Sequence, residues 1–510
     1  MLEVIKRVLT GKVSLLKKNI AANFAGSAWQ ALMGLVFAPF YIKLMGVESW
    51  GLVGVFSMLQ ALFGLLDMGL SSTLNREMAR LSVLPAKERE MRDLVRTLET
   101  LYWGVAVLIG IAVIALSPFI AQHWVKTVHL SANTVEQAIL LMGFVMAIQM
   151  PIGFYSGGLL GLQKQVRLNL INGGISTLRG AGVALALWLV SPTIQAFFIC
   201  QVVISALNVA LLAVYLWREL PATGEKAAFR SRLLRGVWKF AAGMGGMTLI
   251  GAILTQLDKI ILSKMLSLEL FGYYTLAGIV AMNLNRFLGP VYSALYPRFT
   301  QLVSFNDEEG IRRLYHQSCQ FLAVLLLPVA LVVAAFSREI LLLWTQDPVI
   351  AERTHLLVSV LICGTALNGL MYPTYILQLA FGWTKIGLQI SSFLAVIFIP
   401  AIILLTRNFG AAGAASAWVA LNIVYILIGV PLTHGKILKG EVRNWAVNMA
   451  CPLAGILLTL LPGRYFIKTF IPGGTGLVYI PVMFAFALAG AVLFSRHIRS
   501  VIAWELAGGK

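Results

Sequence analysis

Apolar residues run along this chain in long blocks, and polar residues collect in the short gaps between them. A helix needs about 20 apolar residues to cross the hydrocarbon core of a bilayer. Fourteen blocks reach that length, near 21–43, 50–72, 99–121, 136–160, 168–190, 193–216, 240–263, 272–297, 317–337, 355–380, 384–406, 411–433, 445–463 and 474–495. No gap between them could hold a soluble domain. The pattern predicts an all-α membrane protein with about 14 transmembrane helices.

The gaps carry a charge bias. With the N-terminus placed in the cytoplasm, 29 of the 40 Lys and Arg residues fall in inner loops and tails and 8 in outer loops. The remaining three, Arg179, Lys259 and Arg286, lie inside spans. Cytoplasmic loops collect Lys and Arg, so the bias predicts an even number of spans with both termini cytoplasmic.

A shift of 221 residues lays one half of the chain on the other. Identities under this shift are scattered, such as Gly51 on Gly272, Arg92 on Arg313 and Gly161 on Gly382; the layout is the stronger signal. Each half has two spans, a charged linker (75–96 and 298–316), two spans, a short turn with Lys164 or Lys385, and two more spans. Six helices per repeat leave both halves pointing the same way. The expectation is two six-helix lobes in parallel repeat around a central cavity, plus two C-terminal helices. The boundaries are 1–20 for a cytoplasmic amphipathic segment and 21–217 for the N-lobe. A basic cytoplasmic interlobe linker covers 218–239 and the C-lobe 240–435. The last two spans cover 436–497 and a cytoplasmic tail 498–510. Two such lobes suggest a transporter that rocks between inward-open and outward-open states; the bland alternative is an old duplication without transport.

A charge at mid-bilayer on a lipid face costs about 2.5–3.5 kcal/mol on insertion scales, so charged residues in spans usually face a cavity or a partner. Asn169, Asn172, Ser176 and Arg179 share one helix face. Asn283, Arg286 and Ser293 share another, with Pro290 able to kink the helix. Thr248, Ala252, Thr255 and Lys259 form a third stripe. Asp258 adjoins Lys259, but neighbours in sequence diverge on a helix, so the two need not be one ion pair. Both could also snorkel to the outer surface, and Arg179 and Arg286 could be structural bonds between lobes. Apart from acids at span ends, only Asp67 and Asp258 stand against these three cations. A cation surplus in a low-dielectric cavity suits an anionic ligand. Trp29 and Gln30 on the first span, and Tyr372, Tyr375 and Gln378 on the tenth, could contact sugar rings or pack between helices equally well.

Composition agrees. The chain is 59% hydrophobic and 12% charged, with a mean hydropathy of +0.84; soluble domains average about 25% charged, which excludes a large soluble enzyme. The net charge of +19 follows from the inner loops, and no basic tract interleaved with aromatics points to nucleic acid. Cys200, Cys319, Cys363 and Cys451 lie in or beside apolar runs without CxxC spacing and read as buried hydrophobes. The first 18 residues lack the core and cleavage site of a signal peptide. No nucleophile–base spacing, metal motif or cofactor motif is evident, so no catalytic residue, metal or cofactor is expected.

Two stretches carry a family resemblance. GLLDMGLSSTLNREMARL (64–81) resembles the second-helix region of bacterial polysaccharide transporters, the Wzx-type flippases of the multidrug/oligosaccharidyl-lipid/polysaccharide exporter superfamily. LTQLDKIILSKMLSLELFGYYTLA (254–277) with LYPRFTQL (295–302) resembles the start of their second lobe. The resemblance implies a flippase of the bacterial inner membrane. It would carry undecaprenyl-diphosphate-linked oligosaccharide (O-antigen, exopolysaccharide or capsule units) from the cytoplasmic to the periplasmic leaflet by ion-coupled alternating access. Arg179, Lys259 and Arg286 would meet the pyrophosphate. Asn169, Asn172, Ser176, Asn283 and Tyr372 would line the cavity. Asp67 and Asp258 would couple H⁺ or Na⁺, and relatives often carry an acid–base pair at the Asp258–Lys259 position. Membrane lipid, and the polymerase and chain-length proteins of the pathway, would be partners. The rivals are a multidrug or organic-cation exporter, which calls for an acid-dominated lobe; a membrane glycan polymerase or ligase, which calls for a catalytic constellation; and a scaffold, which needs no buried cations.

Overall fold

The computed structural model describes residues 2–234, 256–470, 476–496, 498 and 499. The apolar blocks fold as helices, and the described residues contain no strand beyond one isolated bridge between Lys126 and Ser267. The chain divides into two compact units, Met1–Gly272 and Tyr273–Lys510.

The first unit contains α1 (Leu2–Met45), α2 (Val47–Phe63), α3 (Leu70–Leu81), α4 (Glu88–Phe119), α5 (Ala132–Gly161), α6 (Gln165–Thr177), α7 (Val183–Leu189) and α8 (Ile194–Glu219). Side-chain caps set two of the starts: Ser131 accepts from the Thr134 amide and Thr193 from the Ala196 amide, satisfying donors that a helix start leaves open. The core gathers Leu74, Met78, Leu98, Tyr102, Phe154 and Leu212 from α3, α4, α5 and α8. On the other face of α4, Val107, Leu108, Ile111 and Ile114 are each half or more exposed. A face that apolar is at home against lipid and costly against water.

Beyond α8, the chain turns back onto α4. Asp93 accepts from the Ala228 amide (2.8 Å) and from Arg230 Nε (2.6 Å). Residues 256–265 are helical, and Trp124 Nε1 donates to Ser263 Oγ (3.1 Å) while the Leu268 amide donates to the Lys126 carbonyl (2.9 Å). These bonds hold the segment up to Gly272 in the first unit. The division therefore falls inside α9 (Leu268–Met282), later in the chain than the basic segment 218–239.

The second unit continues through α10 (Leu288–Ser304), α11 (Glu308–Ala335), α12 (Ser337–Thr345), α13 (Pro348–Leu370), α14 (Tyr372–Ala380), α15 (Thr384–Lys436), α16 (Val442–Phe470) and α17 (Gly476–Leu493). Asp307 caps α11 through the Gly310 amide, and Asp347 caps α13 through the Val349 and Ile350 amides, with Pro348 as its first residue. Proline suits that place because its missing N–H has no intrahelical partner there.

Eleven described segments are long and apolar enough to span a bilayer, against the fourteen blocks of the sequence. Three local features account for the difference. The block 240–263 lies mostly outside the described residues. The block 272–297 is cut by a 3-10 turn at Asn283–Phe287. The blocks 384–406 and 411–433 run together as α15, broken at Gly410 with φ 60° and ψ −140°, a conformation open to glycine alone. The molecule is a multi-pass, all-α membrane protein.

Candidate functional site

The second span is not one helix. After α2 the chain makes a 3-10 turn over Gly64–Asp67, and Met68 (φ 46°) and Gly69 (φ 74°) take left-handed conformations before α3 begins. The break turns Asp67 toward α4, where Tyr102 OH and Ser71 Oγ both donate to its Oδ1. α3 can lie this close to α5 because Gly157 and Gly161 face it: a Cβ at either would strike the carbonyl oxygen of Ser71 or Asn75. Small residues at such crossings let backbones approach.

The fifth span is also interrupted. Between α6 and α7, Leu178–Gly182 form a π-turn, an element that inserts a residue and disturbs the α-helical ladder. Tyr41 of α1 answers this, its hydroxyl lying 3.0 Å from the carbonyl oxygen of Arg179 and 2.9 Å from that of Gly180. The Phe37 ring lies over Gly180 where a Cβ would sit, and Trp29 Nε1 donates to Thr177 Oγ1 (2.9 Å). Three residues of α1, Trp29, Phe37 and Tyr41, thus hold the turn that carries Arg179.

Asp67 and Arg179 line the same cavity, of about 560 Å³, within the first unit. Asn172 and Ser176 also line it, as the polar stripe on the fifth span predicts, together with Gln30, Gln60, Gln149 and Asn208. Gln149 Nε2 donates to Ser205 Oγ (2.8 Å), and Gln60 donates to Gln149 Oε1. Two polar atoms on this wall are buried without a partner, Arg179 Nε and Asn208 Oδ1. No carboxylate or other acceptor among the described residues hydrogen-bonds to the Arg179 guanidinium. An unsatisfied cationic N–H and an unsatisfied amide oxygen on one cavity wall can bind a group that brings both an acceptor and a donor.

The other sequence-selected residues stand elsewhere. Asn169 donates to Asn23 Oδ1 (2.6 Å) and to the Gln165 carbonyl (2.8 Å), tying α6 to α1 outside the cavity lining. Lys259 Nζ lies 3.5 Å from Asp258 Oδ1: neighbours leave a helix in different directions, but the four-carbon lysine stem folds back far enough to pair. Thr248, Ala252 and Thr255 of the same stripe lie outside the described residues. In the second unit Arg286 Nε donates to Asn283 Oδ1 (2.8 Å) on the 3-10 turn. Pro290 has no N–H to offer the Arg286 carbonyl, which accounts for the helix breaking there. Tyr372 joins an aromatic group with Tyr292 and Tyr375. Of the three in-span cations, Arg179 is the one that lines this cavity, balanced there by one acid, Asp67.

Gln60, Gln149 and Asn208, with the Ser71 and Tyr102 partners of Asp67, were not among the residues picked from sequence. The signal was present: each amide is an isolated polar residue in an apolar block, which in a bilayer marks a bundle-facing position.

The polysaccharide biosynthesis protein family matches residues 16–303, more than half of the chain, and the MatE family matches 244–404. The chain belongs to the polysaccharide biosynthesis protein family. A Shigella flexneri protein named as a candidate O-antigen transporter is 20% identical over 402 residues, covering 79% of this chain and 93% of that one. The lipopolysaccharide biosynthesis protein WzxC of Escherichia coli K12 is 23% identical over 470 residues, covering 88% of this chain and 87% of the relative. Among solved structures, an inward-facing multidrug resistance MATE transporter of the MOP superfamily superposes with a TM-score of 0.70 at 14% identity, covering 81% of this chain and 96% of the other. The lipid II flippase MurJ in an inward closed conformation gives 0.67 at 13% identity, covering 96% of this chain and 99% of the other. The fold of this polysaccharide biosynthesis protein is thus one shared with transporters.

Proposed function

We propose that the protein is a flippase that moves lipid-linked oligosaccharide from the cytoplasmic to the outer leaflet of the bacterial inner membrane. The observation that carries this reading is the Arg179 guanidinium, set in the wall of a 560 Å³ cavity with a buried Nε and no acceptor among the described residues. A diphosphate supplies the missing oxygens, and the planar guanidinium fork matches them. Asn208 Oδ1, which lacks a donor, would accept from a sugar hydroxyl, as Asn172 and Ser176 could. Relatives named for O-antigen and lipopolysaccharide biosynthesis, and the full-length likeness to a lipid flippase, support the same substrate class.

In finer detail, the lipid is undecaprenyl diphosphate, both termini are cytoplasmic, and the polymerase and chain-length proteins of the pathway are partners. Lys259 and Arg286 assist with the anion, and Asn283 and Tyr372 with the sugar. Movement is by alternating access. Asp67, whose charge is exposed to the cavity yet held by two hydroxyls, is the stronger candidate for coupling to H⁺ or Na⁺; Asp258, already beside Lys259, is the weaker. No bond in the substrate is made or broken, so no catalytic residue is needed. An exporter of organic cations shares the fold but calls for an acid-dominated site; among the described residues lining this cavity, the one acid, Asp67, is matched by Arg179.

Purified protein in lipid vesicles tests the reading. Vesicles loaded with lipid-linked oligosaccharide in the inner leaflet should expose it to an external glycosidase faster than protein-free vesicles, while a cationic dye should not move. Equal exposure with and without protein, or dye transport alone, would refute it.

A further inference from the structure

We infer that His316 of α11 works a proton-sensitive latch on the segment that follows α17, closed while the imidazole is neutral and released when it takes up a second proton. The latch lies wholly within the second unit and does not depend on the flippase reading. Its parts form one line. The Ile498 backbone amide, just after α17, donates to Gln320 Oε1 of α11 (3.3 Å). Gln320 Nε2 donates to Asn448 Oδ1 of α16 (3.3 Å). Asn448 Nδ2 lies 2.9 Å from His316 Nδ1, and His316 Nε2 lies 2.9 Å from Glu441 Oε2. The four side chains are buried, so a lost partner is not readily replaced by water.

One group in this line has a fixed role. A backbone N–H can only donate. The Ile498 amide therefore turns the Gln320 oxygen toward itself and the Gln320 NH2 toward Asn448. The Asn448 oxygen accepts, which turns its NH2 toward His316. His316 Nδ1 must then accept, so the ring proton sits on Nε2 and is donated to Glu441. A second proton reverses this. An imidazolium carries N–H at both nitrogens, and the new one faces the Asn448 NH2, donor against donor. Rotating the Asn448 amide brings its NH2 against that of Gln320. Rotating Gln320 in turn passes the conflict to Ile498, whose N–H cannot rotate. Protonated His316 and docked Ile498 exclude each other, so a falling pH opens the latch.

The proton has a way in. His316 lines a cavity of about 570 Å³ together with Glu308, Glu309, Arg312 and Arg313. Histidine is the side chain that ordinarily changes charge between about pH 5 and 8. Among the described residues, the other titratable groups close around it are Arg312 and Tyr315 on α11, Glu441 before α16 and His434 on α15. Burial raises Glu441, but Asn444, His316 and Arg312 hold it below the usual carboxylate range, so it stays ionised where histidine titrates. The Tyr315 hydroxyl lies 2.8 Å from Thr374 Oγ1, and His434 Nδ1 lies 2.7 Å from the Val430 carbonyl oxygen; neither belongs to the line.

Hydrogen–deuterium exchange of the purified full-length protein in lipid nanodiscs tests this, read at the peptide containing Ile498 and corrected for the intrinsic pH dependence of exchange. Wild type should lose about tenfold in protection there between about pH 8 and about pH 5.5, while peptides from α4 and α5 keep theirs. His316→Asn offers an amide oxygen in place of Nδ1 and cannot take up a proton, so it should stay protected at both pH values. Gln320→Leu breaks the line and should leave the peptide equally open at both. Wild-type protection that does not change with pH overturns the latch. So does a pH response that survives in His316→Asn, which would move it to another group such as His434. Should that variant not fold, a full pH response persisting in Gln320→Leu overturns the latch equally.

Discussion

The Tyr41 hydroxyl lies 3.0 Å from the carbonyl oxygen of Arg179 and donates to it, while the guanidinium of the same arginine faces an open cavity. The backbone of Arg179 is thus tied down, and no acceptor among the described residues holds its side chain. That division fits a residue whose partner arrives with the cargo.

Tyr41→Phe removes the donor for the Arg179 and Gly180 carbonyls and nothing from the cavity lining. At about 1 kcal/mol per net hydrogen bond, detergent-solubilised variant should melt at a lower temperature and flip more slowly, at unchanged membrane abundance. An unchanged rate would mean that Arg179 does not depend on this bond for its direction.

Gly180 is the contact that admits the Phe37 ring. Gly180→Ala should destabilise by about 1–3 kcal/mol, as overpacking does, and Phe37→Leu in the same chain should recover part of the loss. Thermal denaturation of the single and double variants decides this; a single variant that melts like wild type contradicts the packing described.

Asp67 is held by Tyr102 and Ser71. Asp67→Asn keeps the size and one acceptor but removes the charge. It should fold and insert normally yet lose most ion-dependent flipping, measured as the rate with and without an imposed proton or sodium gradient. Tyr102→Phe should act the other way, lowering the melting temperature through a bond to a charged group, worth about 1.5–3 kcal/mol, with flipping reduced in part. Full gradient dependence in Asp67→Asn would move the coupling to another acid.

Glu441 lies between two spans, in the loop after α15. Burial pushes its carboxyl upward, but donation from Asn444 (2.6 Å), the contact with His316 (2.9 Å) and the charge of Arg312 (3.1 Å) outweigh it and hold the group below the usual 4.5. A group depressed in the folded state contributes stability that is present above the unfolded value and is lost as pH falls through the folded one. Wild type should therefore lose melting temperature as pH drops below about 4.5. Glu441→Gln should be less stable at neutral pH and show a smaller acid loss. Parallel acid profiles for the two proteins would remove Glu441 from the account.

Much of this was readable in the chain. Block length predicted fourteen spans, and eleven described segments are long and apolar enough to be such spans, as expected where lipid leaves the backbone no partner but its own helix. The stripe Asn172, Ser176, Arg179 follows from helical period, and the structure places all three on one cavity wall. What was not readable depends on local breaks. The 3-10 turn that aims Asp67 and the π-turn at Leu178–Gly182 disturb the period on which face assignments rest. Tyr41, which stabilises the π-turn, is an ordinary aromatic residue in an apolar block. Helical period leaves the Asp258–Lys259 pairing open, because neighbours diverge at Cβ, and the bend of the lysine stem brings the two together. Gln60, Gln149 and Asn208 were legible as isolated amides, but their meeting in the cavity that Arg179 lines is tertiary.

In the proposed function, Arg179 recognises the diphosphate of the cargo. The direct measurement is the leaflet transfer rate of lipid-linked oligosaccharide in vesicles carrying wild type, Arg179→Lys or Arg179→Ala at matched protein content. Near-complete loss is expected for alanine and partial activity for lysine, which keeps the charge without the bidentate fork. Wild-type transfer by the alanine variant would contradict it.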